Sequence, residues 1–257
     1  MVNYATVCRR ASCLNLNSYA ILITCEHAVN TVPGAYNGLF ATCREILDTH
    51  HAYDIGAEEA AKSLADFFKV KYLAGGISRL LINLNRSPHN RRGLFSRLSN
   101  TLPRAEKENL LGRYYFTYLR QINNSIRKEH SRGRKVIHLS IHTFTPVRNG
   151  RVRNADIGLL YDPARPPEKR LCRYVKQALT EQQKNLRIRL NYPYRGVADG
   201  LTTLFRQCYS PAEYIGIELE FNQKYWESEG KVMGRQLSSL AAEALKSILQ
   251  MNQLQKM

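Results

Sequence analysis

The chain lacks any apolar run of the roughly 18 residues that a membrane span requires, so we expect no transmembrane helix. Its amino terminus, MVNYATVCRRASCLNLNS, has no apolar stretch of the kind found in secretory signals, which makes a cytoplasmic location the default expectation. The six cysteines are scattered, and no two of them form a C-x-x-C pair. The sequence therefore indicates neither a disulfide framework nor a structural zinc knuckle.

Acidic residues are also scarce, since 21 Asp and Glu stand against 38 Lys and Arg, which gives a net charge of +17. Residues 88–153 alone carry 15 Lys and Arg against 3 Asp and Glu. A field of this sign attracts anions and speeds their encounter with the protein. Nucleic acid is one candidate partner. The aromatic residues of this segment mostly fall within a predicted helix, where packing is their commoner use, so we favour a small anionic substrate.

Hydrophobic residues make up 44% of the chain, which is enough for a substantial core. Segments with strand and helix patterns alternate without a repeat or a linker. This order predicts an α/β fold, a single domain over residues 1–257 with a mostly parallel or mixed sheet. Strands are predicted at residues 21–23, 77–85, 135–143, 157–161, 186–190 and 215–221. Helices are predicted at residues 54–69, 104–130, 167–184 and 227–250.

Three predicted strands end in or carry polar residues that a core does not accept without partners. The first is followed by Glu26 and His27, the third ends in His142, and the last carries Glu218 and Glu220. Functional groups of α/β proteins commonly lie just past the carboxyl ends of strands. Residues two apart in a strand share a face, so the two glutamates of the last strand point the same way. We interpret them as a base beside a metal; the alternative is an edge strand with one solvated side.

Two histidines that each close a separate apolar strand favour metal ligation over two satisfied core histidines. A catalytic zinc typically takes three protein ligands and keeps one position open. Asp54, at the start of a predicted helix, is the natural third ligand beside His27 and His142, although it could simply cap that helix. His50 and Glu26 remain alternative third ligands. No H-E-x-x-H motif is present, so spacing alone does not identify a zinc enzyme.

Candidate substrate contacts come from arginines and from one loop. Arg79 and the pair Asn85-Arg86 flank the predicted strand at residues 77–85. An arginine fork binds a carboxylate with two parallel hydrogen bonds, which suits an acidic substrate. Further candidates to line a pocket lie in a turn-rich loop: Asn191, Tyr192 and Tyr194.

Six short motifs resemble, in order and approximate spacing, those of the N-formylglutamate amidohydrolase family. They are CEHAVNTVP, HHAYDIGA, SRLLINLNR, IHTFTP, NYPYRG and ELEFNQ, and together they span most of the chain. The resemblance implies one three-layer αβα domain around a mixed, mostly parallel sheet, a phosphorylase/hydrolase-like fold similar to zinc carboxypeptidases and aspartoacylase-type deacylases. It also implies metal-dependent hydrolysis of the amide bond of an N-acyl acidic amino acid such as N-formylglutamate.

The resemblance also implies a metal site. His27 is similar to the first metal-ligating histidine of the family and His142 to the late one, while Asp54 lies in the D-I-G-A motif. The implied cofactor is zinc or another divalent metal. The implied partner is a small anionic N-acyl amino acid, with no membrane involved; the oligomeric state is left open.

Roles for the remaining site residues follow from the same motifs. Asn85-Arg86 is similar to the Asn-Arg pair with which such deacylases hold the carboxylate and carbonyl of the substrate. Glu220 matches the glutamate expected to act as catalytic base, with Glu218 as the alternative. Arg79 or Arg86 would stabilise the developing oxyanion or grip the substrate carboxylate.

Two other functions remain open at this point. The basic segment at residues 88–153 could dock nucleic acid or another polyanion on the same fold without turnover. The chain could also be a relative that keeps the fold and has lost its activity. The presence of both histidines, Asp54 and the paired glutamates argues against that second alternative.

Overall fold

The computed structural model describes residues 19–90, 92–227 and 231–254, so both ends of the predicted domain lie outside the described residues. The strands are β1 (Tyr19–Cys25), β2 (Tyr72–Ala74), β3 (Lys135–Phe144), β4 (Val147–Arg148), β5 (Arg151–Val152), β6 (Ile157–Leu160), β7 (Ile188–Leu190) and β8 (Tyr214–Asn222). The helices are α1 (Ala57–Phe68), α2 (Arg104–Leu110), α3 (Phe116–His130), α4 (Pro166–Gln182), α5 (Leu201–Cys208) and α6 (Lys231–Leu254).

Six of the strands form one mixed sheet in the order β2-β1-β3-β8-β6-β7, and β4 and β5 form a separate hairpin. β1 is parallel to β2 and β3, and β3 is parallel to β8. β6 runs antiparallel to β8 and parallel to its other neighbour, β7. The sheet is therefore mostly parallel with one antiparallel junction, as predicted.

The two faces of the central strands differ in chemistry because their side chains alternate. On one face, the apolar residues of β3 and β8 join a core with α1, α4 and α6. The other face carries His138, Ser140 and His142 of β3 together with Glu218 and Glu220 of β8, and α3 and α5 pack against these strands. Helices thus lie on both sides of the sheet, and the predicted three-layer α/β class is confirmed.

Helices form in the four segments where the apolar spacing predicts them, whereas α5 was not predicted. α1 buries Ala57, Ala60, Ala61, Leu64 and Ala65, and these mostly small side chains allow the helix to approach the sheet closely. The predicted helix at residues 104–130 is present as α2 and α3, joined by a π turn at Leu111–Tyr115. Within the described ranges, no helix combines the length and the apolar character that crossing a bilayer requires.

The predicted strand at residues 77–85 is wrong. This segment folds into turns, in which the N–H groups of Leu81 and Ile82 both donate to the carbonyl of Ser78. Its apolar side chains are buried against α3 without strand pairing, so the apolar run marks a buried loop. The strand that pairs with β1 on this side is β2, which lies earlier in the chain.

Two alternatives are also corrected. β8 lies between β3 and β6, and all 9 of its residues are buried, so Glu218 and Glu220 do not belong to a solvated edge strand. Asp54 does not cap α1, because Gly56 holds the N-cap position and no side chain caps that end. The buried carboxylates of these residues therefore need another explanation.

We predict that Gly158→Ala destabilises the fold and Gly112→Ala does not. A Cβ at position 158 would lie 1.9 Å from the carbonyl oxygen of Tyr192, whereas a Cβ at position 112 would meet no atom within 4 Å. Overpacking of this kind costs about 1–3 kcal/mol, so urea unfolding of Gly158→Ala should give a free energy of unfolding lower by at least that amount. Equal stability of the two variants would contradict the close approach of β6 to the loop at Tyr192.

Candidate active site

Two histidines and one aspartate converge at the carboxyl edge of the sheet. His27 follows the end of β1, and His142 lies near the end of the adjacent strand β3. Asp54 precedes α1 and is anchored by its own N–H, which donates to the carbonyl of His27 at 2.9 Å. One ligand atom from each side chain lies within 4.8 Å of the other two, and all three residues are buried. The predicted convergence of these residues is confirmed.

Both imidazoles present the same nitrogen to the shared carboxylate. Nδ1 of His142 lies 2.8 Å and Nδ1 of His27 lies 3.3 Å from Oδ2 of Asp54. The opposite ring nitrogen of His27 contacts Oδ1 of Asn83 at 2.8 Å. An acceptor on Nε2 fixes the tautomer and leaves the Nδ1 lone pair for a ligand, which is the usual environment of a metal-binding histidine.

Glu26 contacts the Nε2 of His142, as Asn83 contacts the Nε2 of His27. Its Oε2 lies 2.9 Å from Nε2 of His142 and accepts a hydrogen bond of 2.6 Å from the hydroxyl of Ser140. Burial alone would raise the pKa of Glu26, but the bonds from His142 and Ser140 lower it to about 2. A fully buried, ionised carboxylate thus orients His142. Glu26 lies behind this ring and not in the cluster of three, so the structure favours Asp54 over Glu26 as third ligand.

Asp54 keeps its charge although it is buried. Burial would raise its pKa, but Arg79 and the two histidines that face Oδ2 hold that pKa well below the usual range. Arg79 contributes an ion pair through Nη2 to Oδ1 of Asp54, which leaves Oδ2 to face the two rings. Burial and the nearby Arg79 also lower the pKa of His27 to about 4, so that this ring is neutral at pH 7. Asp54 and His27 thus have the protonation states that a metal ion requires. His142 differs, because its hydrogen bonds to Asp54 and Glu26 outweigh burial and raise its pKa well above the usual value, so a metal would have to displace a proton from this ring.

Glu220 and Glu218 lie on the same face of β8 but differ in their surroundings. Glu220 pairs in register with His142, and its Oε2 is buried without a hydrogen-bond partner among the described residues. Burial raises the pKa of Glu220 to about 8, and the carboxylates of Asp54 and Glu218 add to this effect. Glu218 instead accepts a hydrogen bond of 2.7 Å from the hydroxyl of Thr202. The unpaired carboxyl group next to the histidines is therefore that of Glu220.

The other predicted site residues lie at varying distances from this cluster. The side-chain nitrogen of Asn85 lies 3.2 Å from Nε2 of His142, so Asn85 reaches the site. Arg86 donates through Nη1 to the main-chain carbonyls of Asn85 and Asp199, both at 2.8 Å. Asn191 has a left-handed backbone and accepts from the main-chain N–H groups of Tyr161 and Gly196. The contacts of Arg86 and Asn191 are those of residues that shape the surrounding loops.

A cavity of about 550 Å³ opens beside the cluster. It reaches Asp54 and Arg79 on one side and Tyr194, together with the β4–β5 hairpin, on another. His50 is exposed and lines this cavity without belonging to the cluster of three ligand atoms. The site is thus accessible to a small molecule at Asp54, while the histidine rings remain buried behind it.

Three residues of the site were not predicted. Asn83 lies in the segment that was wrongly assigned as a strand, which hid the direction of its side chain. Ser140 stands two residues before His142, so strand alternation could have found it. Arg148, which lines the cavity, precedes Asn149-Gly150, a strong hairpin signal that could have placed it on a turn shortly after β3. Hairpin geometry and strand alternation were therefore the unused signals.

Comparisons with known proteins identify a family and solved structures of similar fold. Residues 19–226 match the family model of N-formylglutamate amidohydrolase. The crystal structure of gene product Atu2144 from Agrobacterium tumefaciens is similar with a TM-score of 0.74 and 29% identity, covering 89% of this chain and 91% of that one. The N-formylglutamate amidohydrolase from Ralstonia eutropha JMP134 shares the fold, with a TM-score of 0.68, 18% identity and coverage of 93% and 95%. A search of curated proteins finds no match.

Proposed function

Because the chain belongs to the N-formylglutamate amidohydrolase family, we propose that it hydrolyses the amide bond of an N-acyl acidic amino acid at a divalent metal held by His27, Asp54 and His142. The observation that carries this proposal is the convergence of two buried imidazoles and an ionised carboxylate beside the unpaired Glu220. N-formylglutamate represents the substrate class, and zinc is the metal that we expect.

The residues present fit such a metal. Two imidazole nitrogens and one carboxylate oxygen are the donor set of many catalytic zinc sites, in which the fourth position stays open for water or substrate. Asn83 and Glu26 already hold the opposite nitrogens of the two rings, so the donors need little rearrangement. When bound, the metal would polarise the scissile carbonyl and lower the pKa of a water molecule.

Glu220 is our candidate for the residue that moves the proton. Its carboxyl group is buried, has a raised pKa and lies on the strand next to His142. A carboxyl group whose pKa is near neutrality can take a proton from the attacking water and return it to the leaving amine. Glu218 is held by Thr202 and is therefore less suited to this transfer.

Arg79 is our candidate for the residue that stabilises charge on the substrate. Its Nη2 is paired with Asp54, whereas its Nε is buried without a partner among the described residues. Since Arg79 also lines the cavity, its remaining N–H groups are available to the oxyanion or to the carboxylate next to the scissile amide. Asn85 contacts the Nε2 of His142, on the side of the ring that Glu26 holds, so its assignment to substrate binding stays a prediction. The assignments of Arg86 and Asn191 to substrate binding stay predictions.

The proposed activity is tested by incubating the zinc-loaded protein with N-formyl-L-glutamate and measuring the release of formate and glutamate. The N-acetyl derivative and the two corresponding aspartate derivatives extend the test to other acyl groups and to the shorter side chain. Hydrolysis of at least one of the four is expected. Complete inactivity on all four, with the metal bound, would contradict the proposal.

We predict that the purified protein binds about one zinc ion per chain, in keeping with the one set of three ligands found among the described residues, and that His142→Ala loses this ion. Asn83→Ala, which removes the acceptor shared by Nε2 of His27 and the main-chain N–H of Asn85 but none of the three ligands, should lower the metal affinity by about 10- to 100-fold. Metal content after dialysis measures both effects, and circular dichroism checks that each variant is folded. The control is His89→Ala, since His89 is exposed and lies outside the ligand cluster. Retention of zinc by His142→Ala would show that the ligands are wrongly assigned.

We predict that Glu220→Gln keeps the metal and lowers kcat by about 10²- to 10⁴-fold, because glutamine has the shape of glutamate but cannot accept the proton. Glu218→Gln is the matched comparison and should lose far less, since it retains an oxygen for Thr202. Steady-state kinetics with N-formyl-L-glutamate measures the difference. If Glu218→Gln were the inactive variant, the base would be Glu218.

A further inference from the structure

The cavity beside the candidate metal site is lined by more arginines than carboxylates. Asp54 is the only carboxylate among the described residues that line it, and this group is already paired with Arg79 and faces the two histidines. Arg148 adds a second guanidinium to the lining. A cavity with this charge favours a ligand that carries an anionic group in addition to the amide.

Arg148 reaches the cavity from the β4–β5 hairpin. Asn149 and Gly150 form the turn, and both have positive φ, as a two-residue type I′ turn requires. The Nη1 of Arg148 donates to the hydroxyl of Tyr194 at 3.3 Å, and the guanidinium carbon lies 6.0 Å from the centre of that ring. Among the described residues, this hydroxyl is the only acceptor of the Arg148 side chain. The exposed guanidinium therefore keeps most of its N–H donors for a ligand.

Arg153, after the second arm of the hairpin, holds this arrangement in place. Its Nη2 donates to the same hydroxyl of Tyr194 at 3.3 Å, and its guanidinium carbon lies 5.2 Å from the Tyr194 ring and 5.9 Å from the Phe144 ring. Its main-chain N–H donates to the carbonyl of Pro146 at 2.8 Å. Arg153 thus packs between β3 and the loop at Tyr194, while the side chain of Arg148 stays available to a ligand.

The two guanidiniums of the cavity are suited to different parts of a substrate. The α-carboxylate of an N-acyl amino acid is attached to the carbon that bears the scissile amide, so its partner must lie close to the metal ligands. Arg79, which contacts Asp54, meets this requirement. Arg148 contacts Tyr194 and lies on a separate element, so it is suited to a group further from the amide.

We propose that Arg148 binds the side-chain carboxylate of the substrate and thereby determines the preference for an acidic amino acid. The geometry that supports this is the exposed guanidinium at the cavity, oriented by Tyr194 and with unused donors. The inference rests on the proposed amidohydrolase function for its reaction. The selectivity between a carboxylate and a neutral amide can nevertheless be measured without turnover.

The test compares two substrates that differ in charge but hardly in shape, N-formyl-L-glutamate and N-formyl-L-glutamine. Arg148→Ala should lower kcat/KM for the glutamate derivative by about 10- to 100-fold, as expected for the loss of charge-assisted hydrogen bonds. For the glutamine derivative the change should be less than about threefold, since a neutral amide makes no charge-assisted bond. Arg148→Lys keeps the charge without the fork and should recover part of the selectivity. Arg195→Ala removes an equal charge from an exposed residue next to Tyr194 and should leave both substrates unchanged.

A second measurement separates this inference from the proposed reaction. Calorimetric titration of the zinc-loaded protein with L-glutamate and L-glutamine should show weaker binding of L-glutamate to Arg148→Ala and unchanged binding of L-glutamine. This result without any hydrolysis would support the carboxylate subsite and refute the amidohydrolase activity. If the wild type hydrolyses N-formyl-L-glutamate and Arg148→Ala affects both substrates equally or not at all, the inference is overturned and the function stands. A wild type that does not distinguish glutamate from glutamine in either measurement also overturns it.

Discussion

The buried carboxylate of Asp54 is the interaction on which the rest of the site depends. An ionised carboxylate away from water is strongly unfavourable unless cations and donors surround it. Here Arg79 neutralises one oxygen, and the Nδ1 atoms of His27 and His142 face the other. Breaking any of these contacts would leave a buried charge uncompensated, so the positions of all four residues are coupled. A divalent cation at the shared point would satisfy the same carboxylate oxygen.

The order and register of the strands bring these residues together. β1 and β3 are adjacent and parallel, so their carboxyl ends lie at the same edge of the sheet, although β2, α1, α2 and α3 stand between them in the chain. β8 is parallel to β3 in register, which places Glu220 opposite His142 on the same face. An unsatisfied buried polar group costs about 1–3 kcal/mol. Among the described residues, the buried Oε2 of Glu220 has no partner that offsets this cost, which supports the proposed role of Glu220 in proton transfer.

The sequence predicts the strands and helices whose apolar spacing is a local signal, and it does not predict the loops, whose structure depends on contacts between distant residues. The strands that carry His142 and Glu220, and the stripe of α1, follow from the spacing of apolar residues. The segment at residues 77–85 has the composition of a strand, but Ser78 accepts its N–H groups in turns, and only the folded chain shows this. For the same reason Arg86 could be named from its motif while its partner, the carbonyl of Asp199, is 113 residues away. Long-range contacts of this kind leave no local signal.

The chemistry and the selectivity of the proposed reaction reside on different parts of the fold. His27, His142 and Glu220 lie on or directly after central strands, where packing on both faces restricts their movement. Arg148 and Tyr194 lie on a two-stranded hairpin and a loop, where substitutions are tolerated more readily. A change in this second group could alter which N-acyl amino acid is accepted and leave the metal ligands untouched. Two arginines at the end of the basic segment at residues 88–153 belong to this second group. Arg148 lines the cavity, and Arg153 lies beside it. Under the proposed function, this part of the charge excess would bind an anionic small molecule.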